Sequence, residues 1–133
     1  TLRECSELLK RAELYNKDFN NVIKEVYNKD EKTFVYFDPP YYVVKNNSEY
    51  SSYTADSFDK SQQQLIKELS DYIIVNGGCT VQSNSDTSAS DKFFETLYND
   101  SRYKIEYIPL RRSIKSGQWQ NRTESLIYSI YKK

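Results

Sequence analysis

The residues best suited to chemistry stand together at Asp38-Pro39-Pro40-Tyr41, directly after the apolar run Thr33-Phe34-Val35-Tyr36-Phe37. Asp38 brings two carboxylate acceptors, and Pro39 a carbonyl that no neighbouring strand need use. An exocyclic amine held by both would donate two hydrogen bonds, and its lone pair would be pushed toward an electrophile. Tyr41 adds a flat face for an extruded base. Such stacking is worth about 1–3 kcal/mol, comparable to the few kcal/mol that extrusion costs. The same residues also have a purely local use, with Asp as an N-cap and Pro at the first position of a helix.

Other chemistries are excluded by composition. The 133 residues contain no His, which removes Ser-His and Cys-His catalysis and His-ligated metals. The three glycines, Gly77, Gly78 and Gly117, cannot build a Walker loop or a G-x-G-x-x-G loop. Two cysteines, Cys5 and Cys79, are too few for a disulfide scaffold and point to a reducing, cytoplasmic setting. No apolar run is long enough for a membrane span, so no membrane partner is expected. The chain begins Thr1-Leu2-Arg3 without Met, which reads as a cut or processed chain.

Alternating elements must position Asp38. Thr1 and Glu4 form a capping box, followed by Leu2, Cys5, Leu8, Leu9 and Ala12 at helical spacing. A short strand over 13–16 is expected, then an N-cap at Asp18 and a helix with Phe19, Val22, Ile23, Val26 and Tyr27 on one face. The run at 33–37 lacks alternation, which suits a strand buried on both faces, and Pro39-Pro40 ends it. Asp38 is therefore expected at the carboxyl end of a central strand, facing an open cleft. Ligands of open α/β sheets sit there.

Residues 41–57 read as a long loop. The helix that follows starts near Phe58 or Asp59 with Gln62, Leu65, Ile66, Leu69, Tyr72, Ile73 and Asn76 on one side, and we place its end at Asn76 with Gly77 as the C′ residue. The alternative is a hairpin arm at Tyr72-Ile73-Ile74-Val75. A strand at 79–83, a polar loop at 83–87, a helix at about 88–99 and two antiparallel strands at 103–107 and 124–131, joined by a loop of about 14 residues, complete an α/β sheet.

Charge is segregated. The net charge is zero, with 19 basic and 19 acidic residues. Residues 102–122 nevertheless carry Arg102, Lys104, Arg111, Arg112, Lys115 and Arg122 against Glu106 alone, whereas residues 1–101 are acidic. A basic hairpin beside an acidic body suggests phosphate contacts.

With these motifs in hand, the chain resembles the carboxyl-terminal part of Dam-type DNA adenine-N6 methyltransferases, S-adenosylmethionine enzymes of the α group. Asp38 to Tyr41 matches the D-P-P-Y motif that holds the adenine amine in that family. Tyr53-Thr54, Phe58 and Gln62-Gln63-Gln64-Leu65 resemble its Y-T-x-x-x-F and Q-x-x-L helix. Ser83-Asn84-Ser85-Asp86-Thr87, Arg111-Arg112-Ser113-Ile114 and Glu124-Ser125-Leu126-Ile127 resemble further family motifs in the same order.

The resemblance implies a partial Rossmann-like methyltransferase sheet with helices on both faces and an antiparallel C-terminal hairpin, spanning 1–133 as one piece of a catalytic domain. It implies Asp38, Pro39, Pro40 and Tyr41 as catalytic residues and S-adenosylmethionine as cofactor, with Asp18 and Phe19 against the cofactor's adenine. Double-stranded DNA is the implied partner, with Tyr53, Arg111, Arg112, Lys115 and Arg122 as its contacts. The family's glycine-rich cofactor loop and target-recognition domain have no counterpart here, so the missing amino-terminal half is an expected partner. Without it the strands at 13–16 and 33–37 would lose neighbours. An edge-paired homodimer is another way to cover the second of them. Two readings compete with an adenine enzyme: a noncatalytic nucleic-acid-binding or assembly module that kept the fold, and an amino methyltransferase acting on RNA or cytosine.

Overall fold

The computed structural model describes residues 1–27, 32–43, 58–115 and 118–130, without the side chains of 112–115 and 118–120. Helix α1 (Leu2–Leu9) carries the expected capping box, and α2 (Phe19–Val26) is capped by Asp18, whose carboxylate accepts from Asn20 N at 3.0 Å. Strand β1 (Phe34–Phe37) stops where Pro39 and Pro40 remove two N–H donors. Helix α3 (Lys60–Val75) starts at Asp59, which accepts from the Ser61 and Gln62 amides. It ends in a Schellman motif, with Gly77 N bonded to Ile74 O and Gly78 N to Ile73 O. Gly77 has φ +87°, the left-handed geometry that favours glycine. The helix reading of 72–76 therefore holds and the hairpin alternative does not.

Strand β2 (Cys79–Ser85), helix α4 (Phe93–Leu97), and strands β3 (Tyr103–Lys115) and β4 (Gln118–Ser129) follow. The sheet order is β1-β2-β4-β3, with β1 parallel to β2 and the other two neighbouring pairs antiparallel. By register, Val35, Phe37, Gln82, Asn84, Ser125, Ile127 and Ile105 share one face. Two clusters cover it. Phe37 packs with Ile23, Ile66, Leu69 and Ile73, and Ile127 with Tyr42, Phe94, Tyr98 and Tyr103.

Several expectations are corrected. No strand forms over 13–16. Among the described strands β1 is an edge, not a central strand, and is not buried on both faces: Phe34 is 65% and Tyr36 55% exposed. Helices α2, α3 and α4 contribute to the clusters on a single face, so helices on both faces are not seen among the described residues. The apolar stripe of α1 buries nothing, because no described element lies against it. Strand β2 extends to Ser85, through the first part of the expected polar loop. Helix α4 begins only at Phe93, after a left-handed Lys92, with Thr87 Oγ1 accepting from Phe94 N at 3.2 Å. The expected loop between the last two strands is mostly ladder, paired from Tyr103↔Ser129 to Lys115↔Gln118. Of the long loop at 41–57, residues 44–57 lie outside the described residues.

Phe94 is fully buried in the second cluster, in edge contact with Tyr42 at 6.0 Å between ring centroids. Phe94→Ala should therefore destabilise the chain by about 3–5 kcal/mol in chemical denaturation. A loss under about 1 kcal/mol would show that α4 is not packed into the core.

Candidate active site

The carboxyl ends of β1 and β2 and the middle of the antiparallel β4 meet at Asp38-Pro39-Pro40-Tyr41, and each contributes an anchor. Ser83 of β2 donates from Oγ to Asp38 Oδ1 at 2.8 Å, and Tyr36 of β1 donates to Ser83 Oγ at 3.0 Å. Glu124 of β4 accepts from the Tyr41 hydroxyl at 2.9 Å. From above the sheet, Gln63 of α3 donates to the Pro40 carbonyl at 3.1 Å. Asn84 accepts from the Tyr42 amide at 2.8 Å, and Ser85 Oγ donates to the Tyr42 carbonyl.

Gln63 is held in turn. Its Oε1 accepts from Gln82 Nε2 at 3.0 Å and from Asn84 Nδ2 at 3.2 Å, which leaves its Nε2 to face Pro40. Tyr98 donates to Gln82, and burial, with the nearby Asp71 charge second, pushes its phenol up, so the donor stays protonated. No buried side-chain N or O among the described residues lacks a partner. The loop is thus fixed at Pro40 and Tyr42 by buried amides. Tyr42 is secured further by Asp91, which accepts from its hydroxyl at 2.6 Å, and by Lys60, whose Nζ lies 5.3 Å from the ring centroid.

Asp38 itself is exposed, Pro39 and Tyr41 are half-buried and Pro40 is exposed. Among the described residues neither Asp38 Oδ2 nor the Pro39 carbonyl receives a hydrogen bond, so both acceptors suited to an amine are available. Asp38 lies next to Tyr36, which is on the sheet face opposite the two clusters. A concavity of about 500 Å³ is lined by Glu95, Tyr98, Tyr103 and Tyr107, and Asp38 is not among its lining residues.

The other sequence candidates divide. Asp18 and Phe19 sit at the start of α2, and Phe19 packs on the cluster containing Phe37, the residue before Asp38. The Asp18 carboxylate already caps the helix, and Phe19 is 6.2 Å from the Phe58 ring. Pairing of β2 with β4 stops at Ser85↔Glu124, whereas β3 and β4 pair on to Lys115↔Gln118. The basic segment is therefore a two-stranded ribbon leaving the sheet at the end where Asp38 lies. Arg111 and Arg122 are exposed on it, and their register partners, Asn121 and Leu110, put them on opposite faces. The side chains of Arg112 and Lys115, and the whole of Tyr53, lie outside the described residues.

Residue-type reasoning passed over Gln63, Gln82 and Asn84 as parts of the site. Their signal was polar side chains at positions whose period demands apolar ones: Gln63 precedes Ile66, Ser70 and Ile73 on the buried stripe of α3. Ile66, Leu69 and Ile73 are buried on the expected face, but Gln63 and Ser70 are buried beside them while Gln62 and Leu65 are only half-buried and Tyr72 is exposed.

The model of the D12 class N6 adenine-specific DNA methyltransferases matches residues 1–114. The chain belongs to that family. It is 24% identical over 102 residues to the DNA adenine methylase of Salmonella typhi, covering 77% of this chain and 34% of that protein. With the type II methyltransferase M.MjaIII of Methanocaldococcus jannaschii it shares 31% over 113 residues, 85% of this chain and 36% of the relative. With M1.LlaDCHI of Lactococcus lactis the figures are 34% over 90 residues, 67% and 29%. The chain thus spans about a third of the length of these curated methyltransferases. No helix among its described residues is long and apolar enough to cross a membrane.

Proposed function

We propose that this chain is the methyl-acceptor part of an S-adenosylmethionine-dependent DNA methyltransferase that modifies N6 of a flipped adenine in double-stranded DNA. The observation that carries this reading is the exposed Asp38 carboxylate, fixed through one oxygen and open at the other, in a D-P-P-Y segment anchored from three elements. Asp38 Oδ2 and the Pro39 carbonyl would accept the two N–H bonds of the amine, turning its lone pair out of the ring. The Tyr41 ring would stack on the base, its hydroxyl tethered to Glu124. After transfer, Asp38 would hold the proton lost from N6. Catalysis by positioning and hydrogen bonding of this kind needs no covalent enzyme intermediate.

S-adenosylmethionine would supply the methyl group. The residues here fit it only in part. Asp18 and Phe19 offer a carboxylate and a ring near the Phe37 cluster, and no glycine-rich loop is available among Gly77, Gly78 and Gly117. The family's amino-terminal segment would complete the site. The test is to join this chain to such a segment from a relative, supply S-adenosylmethionine and duplex DNA, and identify the methylated base by mass spectrometry. N6-methyladenine is expected. N4-methylcytosine, or methylation of RNA alone, would overturn the adenine assignment, and binding of DNA with no transfer at all would favour a noncatalytic module.

For the ribbon, neutralising Arg111, Arg112 and Lys115 together should weaken DNA binding. It should also reduce the slope of log K against log salt by roughly 0.9 for each phosphate that is no longer neutralised. An unchanged slope would make these charges ordinary surface.

A further inference from the structure

We propose that Ser83 is a positioning residue for Asp38, held in that role by Tyr36; this rests on the reading that Asp38 binds the target amine. The directions of the two hydrogen bonds are forced. An ionised carboxylate has no proton to give, so the 2.8 Å contact to Asp38 Oδ1 must be donated by Ser83 Oγ. Ser83 then has no second proton, so the 3.0 Å contact must be donated by the Tyr36 hydroxyl. The chain runs one way, Tyr36 to Ser83 to Asp38.

The anchor is stiff. Ser83 is 8% exposed and paired to Leu126 in the β2–β4 ladder. The β1–β2 ladder ends at Phe37↔Gln82, so Asp38 and Ser83 are the next residues on the two strands and stand side by side. An exposed carboxylate does not need a side-chain donor, because water serves it as well. What a ladder-mounted hydroxyl adds is orientation. With Oδ1 engaged, the carboxylate plane is set and Oδ2 is the oxygen left for the amine. Tyr36, 55% exposed and donating to Ser83 Oγ, removes the other option, in which Ser83 would turn its proton away.

The experiment uses this chain joined to the amino-terminal segment of a relative, with S-adenosylmethionine and duplex DNA. Ser83→Ala should lower kcat by about tenfold to a hundredfold, the scale of a misplaced reacting group, while KM for DNA stays close to its original value. Ser83→Thr, which returns the hydroxyl, should recover most of the rate. Tyr36→Phe should cost only a few-fold, because Ser83 can still donate. Thermal midpoints measured on every variant separate rate from folding. Unchanged kcat in Ser83→Ala, a loss carried wholly by KM, or a loss that merely follows the folded fraction would overturn the proposal. If Ser83→Thr does not fold, the graded loss in Tyr36→Phe decides, and its absence counts against the proposal. No transfer by the unsubstituted protein would bring down the proposed function and this inference with it. Transfer unaffected by Ser83→Ala would bring down this inference alone.

Discussion

Asp38→Ala should abolish methyl transfer in the completed enzyme while leaving the fold almost untouched. Removing a single preorganised group that stabilises a reacting centre costs about 10²–10³ in kcat. Asp38 is proposed both to bind the amine and to orient it, so a loss of roughly 10³-fold or more is expected. Stability should change little. The side chain is exposed, and its hydrogen bond to Ser83 contributes about 1 kcal/mol. Asp38→Asn is the sharper variant, since it keeps the shape but replaces one acceptor oxygen with a donor that repels an N–H. The measurement is the rate of N6-methyladenine formation, with a denaturation curve for each variant. Wild-type transfer by either variant would remove Asp38 from the mechanism.

The second large effect is the inertness of this chain alone. Supplied by itself it should transfer no methyl groups and bind S-adenosylmethionine weakly or not at all, and both activities should appear when an amino-terminal methyltransferase segment is added. The reason lies in the sheet. Among the described strands β1 is an edge, its Phe34 and Tyr36 are exposed, and residues 13–16 form no strand. Leu2, Leu8, Leu9 and Leu14 are exposed as well. An apolar edge of this kind invites another strand, because no described strand pairs with its outer side. Calorimetry with S-adenosylmethionine tests binding, and submicromolar affinity of the isolated chain would sink the idea. Sedimentation across a concentration series tests the other cover. A stable dimer disrupted by Phe34→Lys or Tyr36→Lys would assign the edge to a second copy.

Local sequence was informative wherever a residue acts on its own backbone. The Thr1 and Asp18 caps, the end of β1 at two prolines and the Gly77 stop of α3 depend on dihedral angles and nearby N–H groups, and all four were legible. The long β3–β4 ladder was not. Its residues 109–123 hold Pro109, the basic Arg111, Arg112, Lys115 and Arg122, and several polar residues, which resemble a loop when burial is the cue. Its described side chains at 109–111 and 121–123 are all exposed, and the residues of such a ribbon show no hydrophobic alternation to reveal it. Its hydrogen bonds come from the partner strand, and Pro109 fits because β3 is an edge among the described strands.

The sequence by itself determined the chemistry on offer: a carboxylate and a carbonyl for an amine, an aromatic face for a base, no imidazole, and a basic segment late in the chain. Those are properties of residue types and their order. The tertiary structure decided which atoms remain available. Pro40's carbonyl is taken by Gln63, 23 residues later, Asp38 Oδ1 by Ser83, 45 residues later, and Tyr41's hydroxyl by Glu124, 83 residues later. Such contacts depend on sheet order and register, which bring the carboxyl ends of β1 and β2 beside Glu124 in the middle of β4. A linear pattern cannot encode that, because a buried Gln or Ser has the same letter as an exposed one and only its partners distinguish them.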